Sequence, residues 1–169
     1  MDEIINLSDN EAIKKLKELA GAINICMFCT NIQNDNGAVT RPMATQISDK
    51  DDYLWFITDK NSHKNREIAQ DNKIQLFYSD PGKSSFVEIT GTAEVVFDQA
   101  KVDELWNPFM KTWFQEGKDD PNISLIKVQP KEGNYWDNKG NRMTNFFRMM
   151  ASVVVGKDLV DGEEGEMKF

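Results

Sequence analysis

The sequence predicts a mainly β, α+β domain in which six or seven antiparallel strands close into a small barrel with helices at its margins. Three observations predict this. Short apolar or alternating runs recur along the chain, and turn chemistry separates them, as in Asn34-Asp35-Asn36-Gly37 and Asp80-Pro81-Gly82-Lys83. The links between these runs are mostly too short for the strand-helix alternation of a parallel sheet. Helical periodicity is confined to a few stretches that lie outside the strand runs. With 169 residues and 40% hydrophobic content, the chain fits a single domain over residues 1–156, followed by an acidic tail over 157–169 expected to be mobile.

Taken in order, Ser8 or Asp9 can cap a helix over residues 10–20, with Ile13, Leu16, Leu19 and Ala20 as its apolar stripe and Gly21 as its stop. Residues 22–32 read as a first strand, and the Asn-Asp-Asn-Gly turn returns the chain through 38–48. The run 53–58 is apolar on both faces, which predicts a strand buried between the core and another layer. A short helix follows over 63–70, then a strand over 73–79 and a long strand over 85–97, in which Gly91 predicts a bulge or bend. Asp98 can cap a helix over 99–115 with Val102, Leu105, Trp106, Phe109 and Trp113 on one apolar face, kinked or ended at Pro108. Residues 123–129 and 134–137 read as the last two strands, joined by a turn at Pro130-Lys131-Glu132-Gly133, and 143–155 fits a C-terminal helix.

Composition narrows the function. A formal net charge of −8 argues against non-specific nucleic-acid binding, which needs clustered Lys and Arg, so any anionic ligand requires a local positive site. The N-terminus, MDEIINLSDNEAI, carries acids where a signal peptide carries bases and an apolar run, and no stretch is long enough to span a bilayer. A cytoplasmic location is expected. Cys26 and Cys29 form a CxxC, but an odd separation within a strand sends the two side chains to opposite faces, so they are expected to be structural. His63 is the single histidine, which argues against a histidine-based metal cluster or triad.

The stretch that concentrates chemistry is residues 41–64, RPMATQISDKDDYLWFITDKNSHK. It reads as a strand opening on Arg41, a second strand, and a helix entry that Ser62 can cap. The free N–H groups and positive dipole end of that helix, with His63 and Lys64 beside them, make an anion site, and antiparallel pairing can bring the Arg41 guanidinium to the same place. A phosphate fits these groups. Ten Phe, four Trp and eight Met supply large and adaptable side chains for packing, and for a pocket around a flat ring.

The order of elements and five motifs resemble the FMN-binding split barrels of the pyridoxamine 5'-phosphate oxidase-like superfamily, and within it the general stress protein 26 branch. The motifs are Arg41-Pro42-Met43, Phe56-Ile57-Thr58, Ser62-His63-Lys64, Thr90-Gly91-Thr92-Ala93-Glu94 and Tyr135-Trp136-Asp137. The resemblance implies a split barrel, a homodimer, and a flavin in the groove between subunits. It places Arg41, Pro42, Met43 and Ala44 along the flavin with Arg41 at the phosphate, continues that wall through Ile57 and Thr58, and gives the phosphate to Ser62, His63 and Lys64. Trp136 would come from the partner subunit to lie near the isoalloxazine ring. FMN is the implied cofactor, with FAD as the alternative flavin.

Two departures argue against pyridoxamine-phosphate oxidation itself. Phe86 stands where the oxidases place a Gln, and an acidic tail replaces their arginine-rich C-terminal motifs. The expected function is therefore FMN-dependent oxidoreduction of another small molecule. The alternatives are a flavin-binding stress protein without turnover, serving as store or sensor, and a split barrel that binds haem or another planar ligand.

Overall fold

The structure, a computed structural model, describes residues 3–138 and 162–169. In chain order these give β1 (Glu3–Ile4), β2 (Leu7–Ser8), α1 (Asp9–Ile23), β3 (Ile25–Thr30), β4 (Val39–Ala44), β5 (Gln46–Ile47), β6 (Leu54–Asp59), α2 (His63–Gln70), β7 (Lys73–Asp80), β8 (Ser85–Val96), α3 (Gln99–Leu105), β9 (Ile123–Asn138) and β10 (Gly162–Lys168). Two 3-10 turns, Pro108–Thr112 and Gly117–Asp119, lie between α3 and β9. Among the described residues all ten strands join one sheet, and seven of them are six residues or longer, so the expected mainly β split-barrel architecture is present.

The run β4-β3-β7-β8-β9 is antiparallel throughout, and β9 then serves two neighbours. Its first half, residues 123–128, pairs with β6; its second half, residues 132–138, pairs with β10. Between the halves the β8–β9 register shifts, with Thr90 opposite Glu132 but Gly91 opposite Pro130, so Lys131 is an extra residue. This bulge is what Gly91 predicted. Any side chain on Gly91 would run into the Gln129 carbonyl, which is why the close approach needs glycine.

The bulge also corrects the reading of residues 123–137. Pro130 and Gly133 do not make a turn; they sit within one bent strand, because a proline lacking an N–H is tolerated at a bulge.

The main core fills the barrel interior with Phe28, Phe56, Leu76, Ile89, Ile126 and Tyr135, and α1 lays Ala12, Leu16, Leu19 and Ala20 over it. Phe28 and Phe56 meet edge to face with centroids 5.0 Å apart. Each such fully buried ring contributes about 1.5–3 kcal/mol of transfer free energy. A second cluster covers the outer face of β6, where Trp55 packs with Val102, Leu105, Phe114, Ile123 and Leu125. The two-sided apolarity of β6 thus has two cores behind it.

Three further expectations change. α1 runs through Gly21 and ends at Asn24, whose φ of 69° and N–H bond to the Ala20 carbonyl close the helix. α3 ends at Leu105, because Pro108 starts a separate 3-10 turn. Within the acidic segment 157–169 expected as a mobile tail, Gly162–Lys168 forms β10, antiparallel to β9 and parallel to β1 and β2. Its composition misled because Met167 is fully buried, Gly165 lets the Ile5 carbonyl approach, and Lys15 compensates Glu163 at 3.5 Å while also pairing with Asp137. The helix expected over 143–155 lies outside the described residues.

Candidate functional site

The barrel is split between β4 and β6. Among the described residues β4 bonds only to β3, and β5 covers only Leu54 and Trp55 of β6, so the two strands approach without a ladder between them. A cleft of about 420 Å³ lies there. One wall is Arg41, Pro42, Met43 and Ala44; the other is Ile57, Thr58 and Asp59, with Lys64 at one end. Gln46 of β5, and Met110, Trp113 and Phe114 from the connection between α3 and β9, complete the lining among the described residues.

The polar end is built by α2. Ser62 accepts a hydrogen bond from the Asn65 N–H at 3.4 Å, the cap expected from the sequence. Buried Asn65 fixes the helix entry by donating to Ser124 Oγ at 2.9 Å and to the carbonyls of Asp59 and Lys60, while Ser124 donates to the Thr58 carbonyl. Arg41 donates from Nη1 to Thr30 Oγ1 at 2.7 Å and from Nη2 to Glu67 at 2.6 Å, and Thr30 donates to the same carboxylate. Burial acts to raise the Glu67 pKa, but these two hydrogen bonds and the Arg41 charge outweigh it and hold the carboxyl below its usual range. Two of the five guanidinium N–H groups thus orient the fork and leave the others for a ligand.

Lys64 is different. It is half-buried and has no hydrogen-bond or ion-pair partner among the described residues; burial, and then the positive charge of Arg41, push its pKa down. Asp59 and Glu67 oppose that shift without cancelling it. A phosphate at this end would compensate the cost of holding the ammonium charge there, so the residues present fit such a group.

The structure brings together seven of the ten residues predicted for the site: Arg41, Pro42, Met43, Ala44, Ile57, Thr58 and Lys64. Ser62 acts as the helix cap behind them. His63 is exposed, with its Nδ1 2.9 Å from Arg66 Nη2. Trp136 lies on the outer face of the sheet, opposite Phe86 and 40% exposed. The residues that sequence reasoning missed are Gln46, Asp59, Met110, Trp113 and Phe114. The last three follow Pro108, which resets the helical phase: Phe109, assigned to the apolar face of one long helix, is 83% exposed, whereas Met110 and Phe114 are buried. Reading residues 108–114 as a separate turn would have found them.

The cysteines are free and buried, on opposite faces of β3: Cys26 faces the core, and burial pushes its thiol up to about 12, while Cys29 lies 3.2 Å from Thr40 Oγ1. Neither lines the cleft. No helix among the described residues is long and apolar enough to cross a membrane.

Comparison with known proteins agrees with this architecture. The chain is similar to a structure from Jannaschia sp. CCS1 described as a general stress protein 26, with a TM-score of 0.80, 22% identity, and coverage of 94% of this chain and 98% of the other. A general stress FMN/FAD binding protein from Xanthomonas citri aligns with a TM-score of 0.64 and 27% identity over 79% of this chain and 93% of its own. Protein bli-3 of Neurospora crassa is 22% identical over 157 residues, 88% of this chain and 75% of that protein. The profile of the family described as "Pyridoxamine 5'-phosphate oxidase like" matches residues 11–161, nearly the whole chain, and the chain belongs to that family.

Proposed function

We propose that the chain is an FMN-binding oxidoreductase of the general stress type, holding the flavin in the cleft at the split with its phosphate at the Arg41–Lys64 end. The observation that carries this reading is Lys64: a half-buried ammonium without a hydrogen-bond or ion-pair partner among the described residues, beside a pre-oriented arginine, in a cleft that is also lined by apolar side chains. The name of the Xanthomonas citri relative, an FMN/FAD binding protein, supports the flavin. When bound, the flavin would supply hydride or electron transfer. The chain would bind the phosphate, line the ring and exclude water. Its small-molecule substrate would meet the ring at the open side of the cleft. Location in the cytoplasm is part of the same reading, since two unpaired cysteines suit a reducing compartment.

The site is proposed to be completed by a second copy. Ile25 and Met27 on β3, Phe77 on β7, Phe86 on β8 and Trp136 on β9 are exposed large side chains on the outer face of the sheet. Pro42 and Ala44 lie opposite Met27 and Ile25 and also line the cleft, so the patch runs directly into the site. Phe77→Asp is expected to convert a dimer to a monomer in gel filtration and to release flavin; a Phe77→Asp protein of unchanged mass would remove the interface.

The reading is tested by adding FMN, FAD or riboflavin to the purified protein and removing free ligand by gel filtration. One retained FMN per chain, with riboflavin held more weakly, is the expected result. Failure to retain any flavin would overturn it, and a haem titration would then test the planar-ligand alternative, for which the exposed His63 offers no ligand in the cleft. The store-or-sensor alternative is favoured by one observation: among the described residues lining the cleft there is no His or Cys, and the one carboxylate, Asp59, is exposed. Anaerobic reduction of the bound flavin by NADH or NADPH, followed by transfer to an acceptor, separates enzyme from store.

A further inference from the structure

The apolar end of the cleft holds a feature that neither the family resemblance nor the charged end accounts for. Trp113 is 75% exposed, yet it sits on a connection held by several hydrogen bonds. Asn107 caps the 3-10 turn by accepting from the Phe109 N–H at 3.1 Å, and the N–H groups of Trp113 and Phe114 both bond to the Met110 carbonyl at 3.0 Å. Met110 and Phe114, on either side of Trp113, are buried, Phe114 within the cluster that also holds Trp55 and Leu125. Beyond them Gly117, with φ of 76°, turns the chain, and Gln99 and Asp103 of α3 hold Lys118 through its carbonyl and its ammonium. A large indole is therefore held at the cleft on a pinned backbone, with its own surface left uncovered.

Resting on the flavin reading, we propose that Trp113 is the ring-stacking residue of this site: an aromatic wall supplied by the same chain that binds the phosphate, which takes a flat heteroaromatic ring against its exposed face. Its place in the same lining as Pro42, Met43, Ala44 and Ile57 gives the ring an apolar slot, and the anchored turn means that little ordering remains to be done on binding. Because the contact is to the ring, its contribution is shared by FMN, FAD and riboflavin. Lys64 acts only on ligands that carry phosphate.

The test compares wild type, Trp113→Ala and Phe109→Ala, the last removing an exposed aromatic from the same turn but outside the cleft lining. Dissociation constants for FMN and riboflavin and the fluorescence of bound FMN are measured, with thermal melting as the check on folding. Trp113→Ala is expected to weaken FMN and riboflavin by the same factor, about tenfold, and to brighten the bound flavin, since a stacked indole quenches it. Phe109→Ala is expected to leave both unchanged. Unaltered affinity and unaltered fluorescence in a folded Trp113→Ala protein would overturn the assignment while leaving the flavin site standing. A loss confined to FMN would also overturn it, because it would make Trp113 part of the phosphate end. Absence of flavin retention by the wild-type protein overturns the flavin reading itself, and this inference with it.

Discussion

Lys64 and Lys101 are both lysines at the start of helices that flank β6, and their surroundings differ in a way that separates a structural cation from a ligand-seeking one. Lys101 donates to Asp51 at 2.8 Å, to Glu104 at 3.0 Å and to Ser48 Oγ at 3.1 Å, and its ammonium lies 5.1 Å from the Trp55 ring. Burial acts to lower its pKa, but the bonds to the two carboxylates overcome this and raise it. Glu104 responds in kind: hydrogen bonds from Ser48 and Lys101 bring its pKa down to about 2. That cluster is satisfied within the chain and ties α3 to the turn before β6. Among the described residues Lys64 has the burial without the bonds, and its pKa is pushed the other way. A fold tolerates such an arrangement where a ligand supplies the missing charge.

The sharpest way to break this contrast is to remove each lysine in turn. Lys64→Ala is expected to weaken FMN binding by about 1.5–3 kcal/mol, the loss of a charged hydrogen bond to phosphate, while riboflavin affinity stays the same. Its melting temperature should match or exceed that of wild type, since an uncompensated charge has left a partly buried position. Lys101→Ala should do the reverse, lowering the melting temperature by several degrees and leaving FMN affinity within about twofold, because Asp51 and Glu104 lose their partner. Arg41→Ala should move both, since it serves Glu67 as well as the ligand. Isothermal titration and thermal melting on the three variants decide it, and a Lys64→Ala protein with unchanged FMN affinity would remove the distinction.

Much of this contrast was legible in the sequence on one side only. The motif around Arg41 and Lys64 marks a phosphate end because Ser62, the helix start and two cations fall within a few residues of β6 or on β4. The Lys101 cluster draws Ser48, Asp51, Lys101 and Glu104 from positions about fifty apart, and no local pattern announces it. The same limit explains the fold. Strands with hairpin turns and the Gly91 bulge were readable because their signals are local, whereas β10 was not, since its burial depends on contacts with Ile5, Lys15 and Tyr135 far away in the chain. Trp113 was misplaced for a local reason, a helical period carried across Pro108.

The pH dependence of ligand preference sharpens the comparison with a smaller effect. The lowered pKa of Lys64 means that the folded protein gives up this proton before the unfolded chain does, so the cost of holding the charge is present at neutral pH and is relieved as pH rises past the folded value. The phosphate monoester of FMN is largely dianionic above about pH 6 and binds the charged form. FMN affinity should therefore fall, relative to riboflavin, as pH rises into the alkaline range, starting below the range where an ordinary lysine titrates. In Lys64→Ala the ratio should be flat. A wild-type ratio independent of pH would mean that the ammonium does not reach the phosphate.

Acid probes the other cation. The depressed pKa of Glu67 makes its pairing with Arg41 and Thr30 a source of stability that is present above the carboxylate's unfolded value and is lost as pH falls through the folded one. Glu67→Gln should flatten the acid limb of the stability profile below about pH 4.5 and lower the melting temperature modestly at neutral pH. A melting profile with the same acid limb in wild type and Glu67→Gln would show that Arg41 is held by other groups.

His63 is the smallest expected effect and the most direct check on how far the phosphate site extends. The sequence places it next to Lys64 at the helix start, and by proximity alone both would hold the phosphate. The structure separates them: Lys64 turns into the cleft, whereas His63 is exposed beside Arg66 and is absent from the cleft lining. Successive residues of a helix start point about a quarter-turn or more apart, so only one of the pair can face β4. His63→Ala should leave FMN affinity within about twofold and the melting temperature unchanged. A loss comparable to that of Lys64→Ala would move the phosphate off the β4 side and onto the outer face of α2, where Arg66, not Arg41, would be its second partner.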